Sequence, residues 1–68
     1  MISFETDKTG KAIELYLDSN GIDELIGYLN YIRREKDHFH LTIGNELKQE
    51  SVNPKNTPVE FVNILHYH

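Results

Sequence analysis

The apolar spacing between residues 22 and 32 constrains this chain more than any other feature. Ile22, Leu25, Ile26, Leu29 and Ile32 recur at steps of three, one, three and three. At about 100° per residue they fall in one stripe, a period that belongs to an amphipathic helix and not to a strand. Asp23, Glu24, Asn30, Arg33 and Arg34 lie mostly on the opposite side. Asn20 stands where an N-cap is expected, with Asp23 three residues on. Asp23 and Glu24 complement the positive end of the helix dipole, and Arg33, Arg34 and Lys36 fall near the negative end. A single stripe of this kind needs an apolar floor, so the flanking segments decide the fold.

Those segments read as strands. In Ile2–Thr6, Ile2, Phe4 and Thr6 share one face, with Ser3 and Glu5 on the other. Asp7-Lys8-Thr9-Gly10 is a turn with Gly10 at a positive φ, and Ile13, Leu15 and Leu17 then alternate with Glu14, Tyr16 and Asp18. The two runs form a hairpin with one oily face. In His38–Ile43, Phe39, Leu41 and Ile43 face the helix, and His38, His40 and Thr42 face away. Gly44-Asn45 is a two-residue hairpin signal that predicts a fourth strand over Glu46–Ser51, followed by a loop over Val52–Thr57.

The C-terminal segment supports two readings. Val59, Phe61, Val62, Ile64, Leu65 and Tyr67 favour a strand, whereas Thr57-Pro58-Val59-Glu60 has the form of a helix start. With the strand preferred, the expected fold is α+β. Residues 1–68 form a single domain of order ββαβββ, a mostly antiparallel sheet with one helix packed across one face.

Composition narrows the function. The absence of cysteine excludes disulfides and thiolate metal ligands and suits a reducing compartment. Seven basic against eleven acidic residues give a net charge of −4 with no basic run, which argues against nucleic acid as a ligand. The longest apolar run is far too short to cross a bilayer, and Met1–Asp7 lacks a signal-peptide pattern, so the expectation is a cytoplasmic protein with no membrane partner. A domain of this size buries only about 60% of the surface its unfolded chain exposes, which favours a self-associating edge or a tight partner.

Candidate chemistry is sparse. The four histidines form two pairs, His38/His40 and His66/His68, and spacing of two puts each pair on one strand face. If the third and last strands lie side by side, all four converge and a surface zinc site becomes physically possible; exposed strand histidines are the simpler reading. Ser3, Ser19 and Ser51 have no nucleophile-elbow context, and the carboxylate pairs Asp23/Glu24 and Glu46/Glu50 sit among polar residues. No glycine-rich phosphate loop occurs. The expectation is therefore a protein without catalysis, cofactor or metal. Gly27 inside the helix is expected to let a strand approach closely. Tyr16 is expected on the open sheet face with His38 and His40, a surface suited to protein contact, with Glu46 and Glu50 adding acidic charge.

Five segments, taken in order, carry a family resemblance. They are Ile13-Glu14-Leu15-Tyr16-Leu17-Asp18, Gly21-Ile22-Asp23-Glu24-Leu25-Ile26, the His38-x-His40-Leu41 segment, Gly44-Asn45-Glu46-Leu47 and Glu60-Phe61-Val62-Asn63-Ile64-Leu65. Together they resemble a bacterial polymorphic-toxin immunity family, the one called immunity protein 32. The resemblance implies a cytosolic antidote that binds and neutralises a cognate toxin by surface occlusion. The rival expectation is a small structural homodimer joined through edge strands.

Overall fold

A computed structural model describes residues 1–68 and has the expected order of two strands, one helix and three strands. β1 (Ile2–Thr6) and β2 (Ile13–Leu17) form an antiparallel hairpin in which Ile2 pairs with Leu17, Phe4 with Leu15 and Thr6 with Ile13. Its turn is closed by Asp7, which accepts hydrogen bonds from the Thr9 backbone N–H (3.1 Å) and hydroxyl (2.7 Å). Gly10 supplies the φ of +71° that the turn requires.

Asp18 ends β2 and starts α1 (Ser19–Glu35). Its carboxylate accepts from the Gly21 N–H at 2.7 Å and meets the Met1 amino group at 2.6 Å. The N-cap is therefore Asp18 and not Asn20. Helix numbering begins two residues earlier than the apolar stripe suggests, so Asp23 and Glu24 fall beyond the first turn, which carries no acidic residue. Arg33 and Arg34 occupy the last turn as expected, and the helix stops at Lys36, whose φ of 52° is left-handed.

β3 (His38–Thr42) pairs antiparallel with β5 (Phe61–Leu65), placing His38 opposite Leu65 and Leu41 opposite Val62. The C-terminal segment is thus a strand. The expected strand over Glu46–Ser51 does not form. The Asn45 and Leu47 N–H groups donate back to the Thr42 carbonyl, and the Glu46 carboxylate accepts from the Thr42 N–H at 3.1 Å. Ile43, whose N–H a two-residue hairpin would pair with Glu46, donates instead to the Glu60 carbonyl at 3.0 Å. Leu47, the only apolar side chain in the stretch, turns into the core instead, and Lys48 N–H donates to the Ile2 carbonyl at 2.8 Å.

β4 is a short strand, Thr57–Pro58, antiparallel to β1 opposite Glu5 and Thr6. The outcome is a three-stranded sheet β2-β1-β4 and a two-stranded sheet β3-β5. Bridges from Leu47 to Ile2 and to Ile43 connect the two.

Ile2, Leu41 and Leu47 form the centre of the core, with Phe4, Leu17, Leu25, Tyr28, Phe39, Val62 and Ile64 against it. Tyr28 stacks on Phe39 with ring centroids 4.3 Å apart, and Tyr31 meets the same ring edge-on. The helix contacts β1, β2 and β3 through the face carrying Gly21, Leu25, Tyr28 and Ile32. This is one margin of the apolar stripe; Ile22, Ile26 and Leu29 remain 42–51% exposed. The cause sits at Gly21, where a Cβ would collide with the Met1 backbone carbonyl. Close approach is made there, and Gly27, expected to serve that purpose, has open space around it. No helix is long and apolar enough to cross a membrane.

Candidate partner-binding surfaces

The side of β1 that faces away from the helix is not open. Ser3 and Glu5 project there, as their alternation with Phe4 requires, yet Glu5 is 0% exposed. The segment 51–56 folds over it and is anchored by its carboxylate. Glu5 Oε2 accepts from the Ser3 hydroxyl at 2.6 Å and the Val52 N–H at 2.5 Å. Oε1 accepts from the Asn53 N–H at 3.3 Å and the Asn56 side-chain amide at 3.1 Å. Burial pushes the Glu5 carboxyl up, but these four donors outweigh it and hold the group below the ordinary glutamate value. Sequence reasoning missed this anchor. The nearest signal was a charged residue on a strand followed, across the chain, by an asparagine-rich loop.

The five residues expected to form a contact face are dispersed. Tyr16 lies beside the covered region: its hydroxyl donates to Glu14 Oε1 at 2.7 Å, and Asn56 donates to the same oxygen at 2.7 Å. That bond to Glu14, with some burial, raises the tyrosine pKa. Glu46 closes the Thr42 turn and lines an open cleft of about 320 Å³ with Glu24, Asn45, Leu47 and Lys48. Burial and the nearby charges of Glu24 and Glu46 raise the pKa of Tyr28. Glu50 is exposed just before the covering segment, its carbonyl taking a bond from the Lys48 ammonium. Only His38 and His40 remain together, on the two-stranded sheet, with ring centroids 4.7 Å apart.

Around those histidines the sheet is uncovered. The register places Phe61, Asn63 and Leu65 on the same face as His38, His40 and Thr42. His40 packs against the Phe61 ring at 5.0 Å, and His38 Nδ1 lies 2.8 Å from Asp37 Oδ1. Phe61 is 51% and Leu65 66% exposed, so this face presents apolar surface beside two imidazoles. β3 and β5 are neighbours, but pairing His38 with Leu65 puts His66 on the opposite face. His66 instead contacts His68, Nδ1 to Nδ1 at 3.0 Å. The two histidine pairs do not converge, and no group of three or more His, Asp or Glu side chains is placed to hold a metal ion.

A second uncovered surface lies between α1 and β2. Tyr31 touches Phe39 of β3, and Glu24 lines the cleft beside Leu47, so that flank of the helix faces β3. Ile22, Ile26 and Leu29 lie on the other flank and therefore face β2, whose Ile13 and Leu15 are 66% and 42% exposed on the same side of the sheet. With the fold and these surfaces in hand, the chain matches no protein-family model, no curated protein and no solved structure.

Proposed function

We propose that this chain is a small protein-binding domain of the immunity type, which neutralises a cognate bacterial toxin in the cytoplasm by covering part of its surface and performs no catalysis. The observation that supports the reading most directly is the open face of β3 and β5. There Phe61 and Leu65 lie exposed beside His38 and His40, whose rings meet at a tilt of 42°. Exposed aromatic and aliphatic anchors with a polar surround are the residues that carry binding energy in protein interfaces. A net charge of −4 favours a basic partner and speeds its approach. Glu50 is exposed, its carboxylate takes no hydrogen bond, and its charge contributes to that field.

The test is co-expression with the protein encoded by the gene immediately upstream, which the proposal requires to be a toxin. The expected outcome is rescue of growth and a stoichiometric complex by calorimetry. Phe61→Ala with Leu65→Ala is expected to weaken that complex by about tenfold or more, since about 1.4 kcal/mol of lost contact is one decade in Kd. Glu50→Lys is expected to slow association more than Asp7→Ala. A neighbour that is not toxic, or a complex indifferent to the Phe61 and Leu65 changes, removes the proposal.

A further inference from the structure

We infer that two copies of this chain associate through β2, edge to edge and antiparallel about Leu15, to make one six-stranded sheet. β2 belongs to a different sheet from the β3–β5 face, and backbone parity fixes which of its groups are free. Asp18 N–H donates to Met1 and Asp7 N–H to Ala12, so within the hairpin the backbone groups of Ala12, Glu14, Tyr16 and Asp18 point toward β1. Those of Ile13, Leu15 and Leu17 point outward. β2 is the end strand of its sheet, and no backbone hydrogen bond engages those outward groups. Three donors and three acceptors stand free at alternating residues, the arrangement an added antiparallel strand requires.

Symmetry then sets the register. Pairing Leu15 with the second copy's Leu15 places Ile13 opposite its Leu17, and every outward N–H and carbonyl finds a partner. In the intervening positions Glu14 faces the second copy's Tyr16. That pair is complementary, and the two already hydrogen-bond within one chain at 2.7 Å. From Ile13 to Leu17 the strand contains no Lys or Pro, and its pairing with β1 runs without a bulge. Those are the features that protect exposed edges in monomers.

The apolar surface agrees with this occupant. Ile13, Leu15, Ile22, Ile26 and Leu29 all lie along this edge, and at roughly 100 Å² each they form a patch of about 500 Å², near the upper end for a monomer. A twofold axis through Leu15 keeps both helices on one side of the joined sheet. The two helix flanks then face one another across Ile13 and Leu15. Two such patches bury roughly 1,000 Å² in addition to the strand edges, the area at which specific association begins.

The test measures mass and amide exchange together. By sedimentation equilibrium the 8.0 kDa chain is expected to double in mass at high concentration. Hydrogen exchange at Ile13, Leu15 and Leu17 is expected to slow in the dimer and return to edge-strand rates on dilution. Leu15→Lys is expected to raise the dissociation constant by about tenfold or more with the circular dichroism spectrum retained. The register has its own probe, because the chain has no cysteine. Leu15→Cys lies on the twofold axis and is expected to crosslink on oxidation, whereas Lys11→Cys is not. A mass that stays at 8.0 kDa at millimolar concentration overturns the inference. So does a dimer whose protection appears at Phe61, Asn63 and Leu65, or one in which Lys11→Cys crosslinks as readily as Leu15→Cys.

Discussion

Replacing Glu5 by glutamine tests how much of this fold depends on one buried carboxylate. The side chain keeps its shape, but one acceptor oxygen becomes an amide that donates. On the Oε2 side the Ser3 hydroxyl can rotate to accept from it, which leaves the Val52 N–H without a partner. On the Oε1 side the Asn56 amide can flip, which leaves the Asn53 N–H orphaned and gives up the Asn56 bond to Glu14 as well. Either way one half-buried backbone donor loses its acceptor, at about 1–3 kcal/mol, and the remaining bonds lose the assistance of charge. The expected cost is about 2–4 kcal/mol, a large share of the roughly 3–10 kcal/mol typical of a chain this long. The sign of the pH dependence follows from the direction of the shift. Glu5 is depressed in the folded protein, so its contribution is complete above the unfolded value of about 4.3 and is lost as pH falls through the lower folded value. Urea unfolding followed by circular dichroism should therefore show a wide gap between wild type and Glu5→Gln near neutrality. That gap should close in acid, and exchange at Val52 and Asn53 should accelerate in the variant. A loss below about 0.5 kcal/mol, or an undiminished gap at low pH, would refute the assignment of Glu5 as the anchor.

Other substitutions separate the helix face that packs from the one that does not. Gly27→Ala adds a methyl into open space in mid-helix and should stabilise by about 0.5–1 kcal/mol in the same assay, whereas Gly21→Ala should destabilise by several times that because Met1 occupies the space. Leu41→Ala should cost about 2–5 kcal/mol and Ile26→Ala less than about 1 kcal/mol at concentrations where the chain is monomeric, since only Leu41 is fully enclosed. Lys36→Gly relieves a left-handed residue at the helix end and should raise stability by about 0.5–1 kcal/mol, read as a higher urea midpoint with unchanged slope.

Periodicity revealed the elements, and it did so because period is a local property. β1, β2, α1, β3 and β5 each carry an alternation or a helical repeat that no partner is needed to read. Whatever depended on a distant residue was hidden. Gly44-Asn45 does turn the chain, with Gly44 at a φ of 82°. Nothing in those two residues says that Glu46 will satisfy the Thr42 amide and that Leu47 will leave for Ile2, so the expected fourth strand was lost to a tertiary contact. The open face expected around Tyr16, His38 and His40 divided for the same reason. Glu5 reads as an ordinary solvent-facing strand residue until the chain returns, some fifty positions later, to cover it.

The apolar stripe on α1 was the firmest feature in the sequence and the one whose environment differs most from expectation. Its five residues demand a floor wide enough to cover them, and the chain does not contain one. The five strands divide at Leu47 into sheets of three and two, and the helix settles over β1 and Leu41. One margin of the stripe is thereby enclosed, while Ile22, Ile26 and Leu29 stand over an equally bare Ile13 and Leu15. Among apolar side chains only Ile2, Ile32, Leu41 and Leu47 are buried outright, a small core even for a small domain. If a second copy supplies the missing floor, folding and association are linked, and the melting temperature must depend on concentration. For unfolding of a dimer to two chains, each tenfold rise in concentration adds about 1.4 kcal/mol per dimer, or about 0.7 per chain. At the roughly 4–8 °C per kcal/mol expected of a domain this size, that is a rise of about 3–6 °C. Calorimetric scans from about 10 to 500 µM would show it, and a melting temperature that did not move across that range would mean the ridge is left bare in solution.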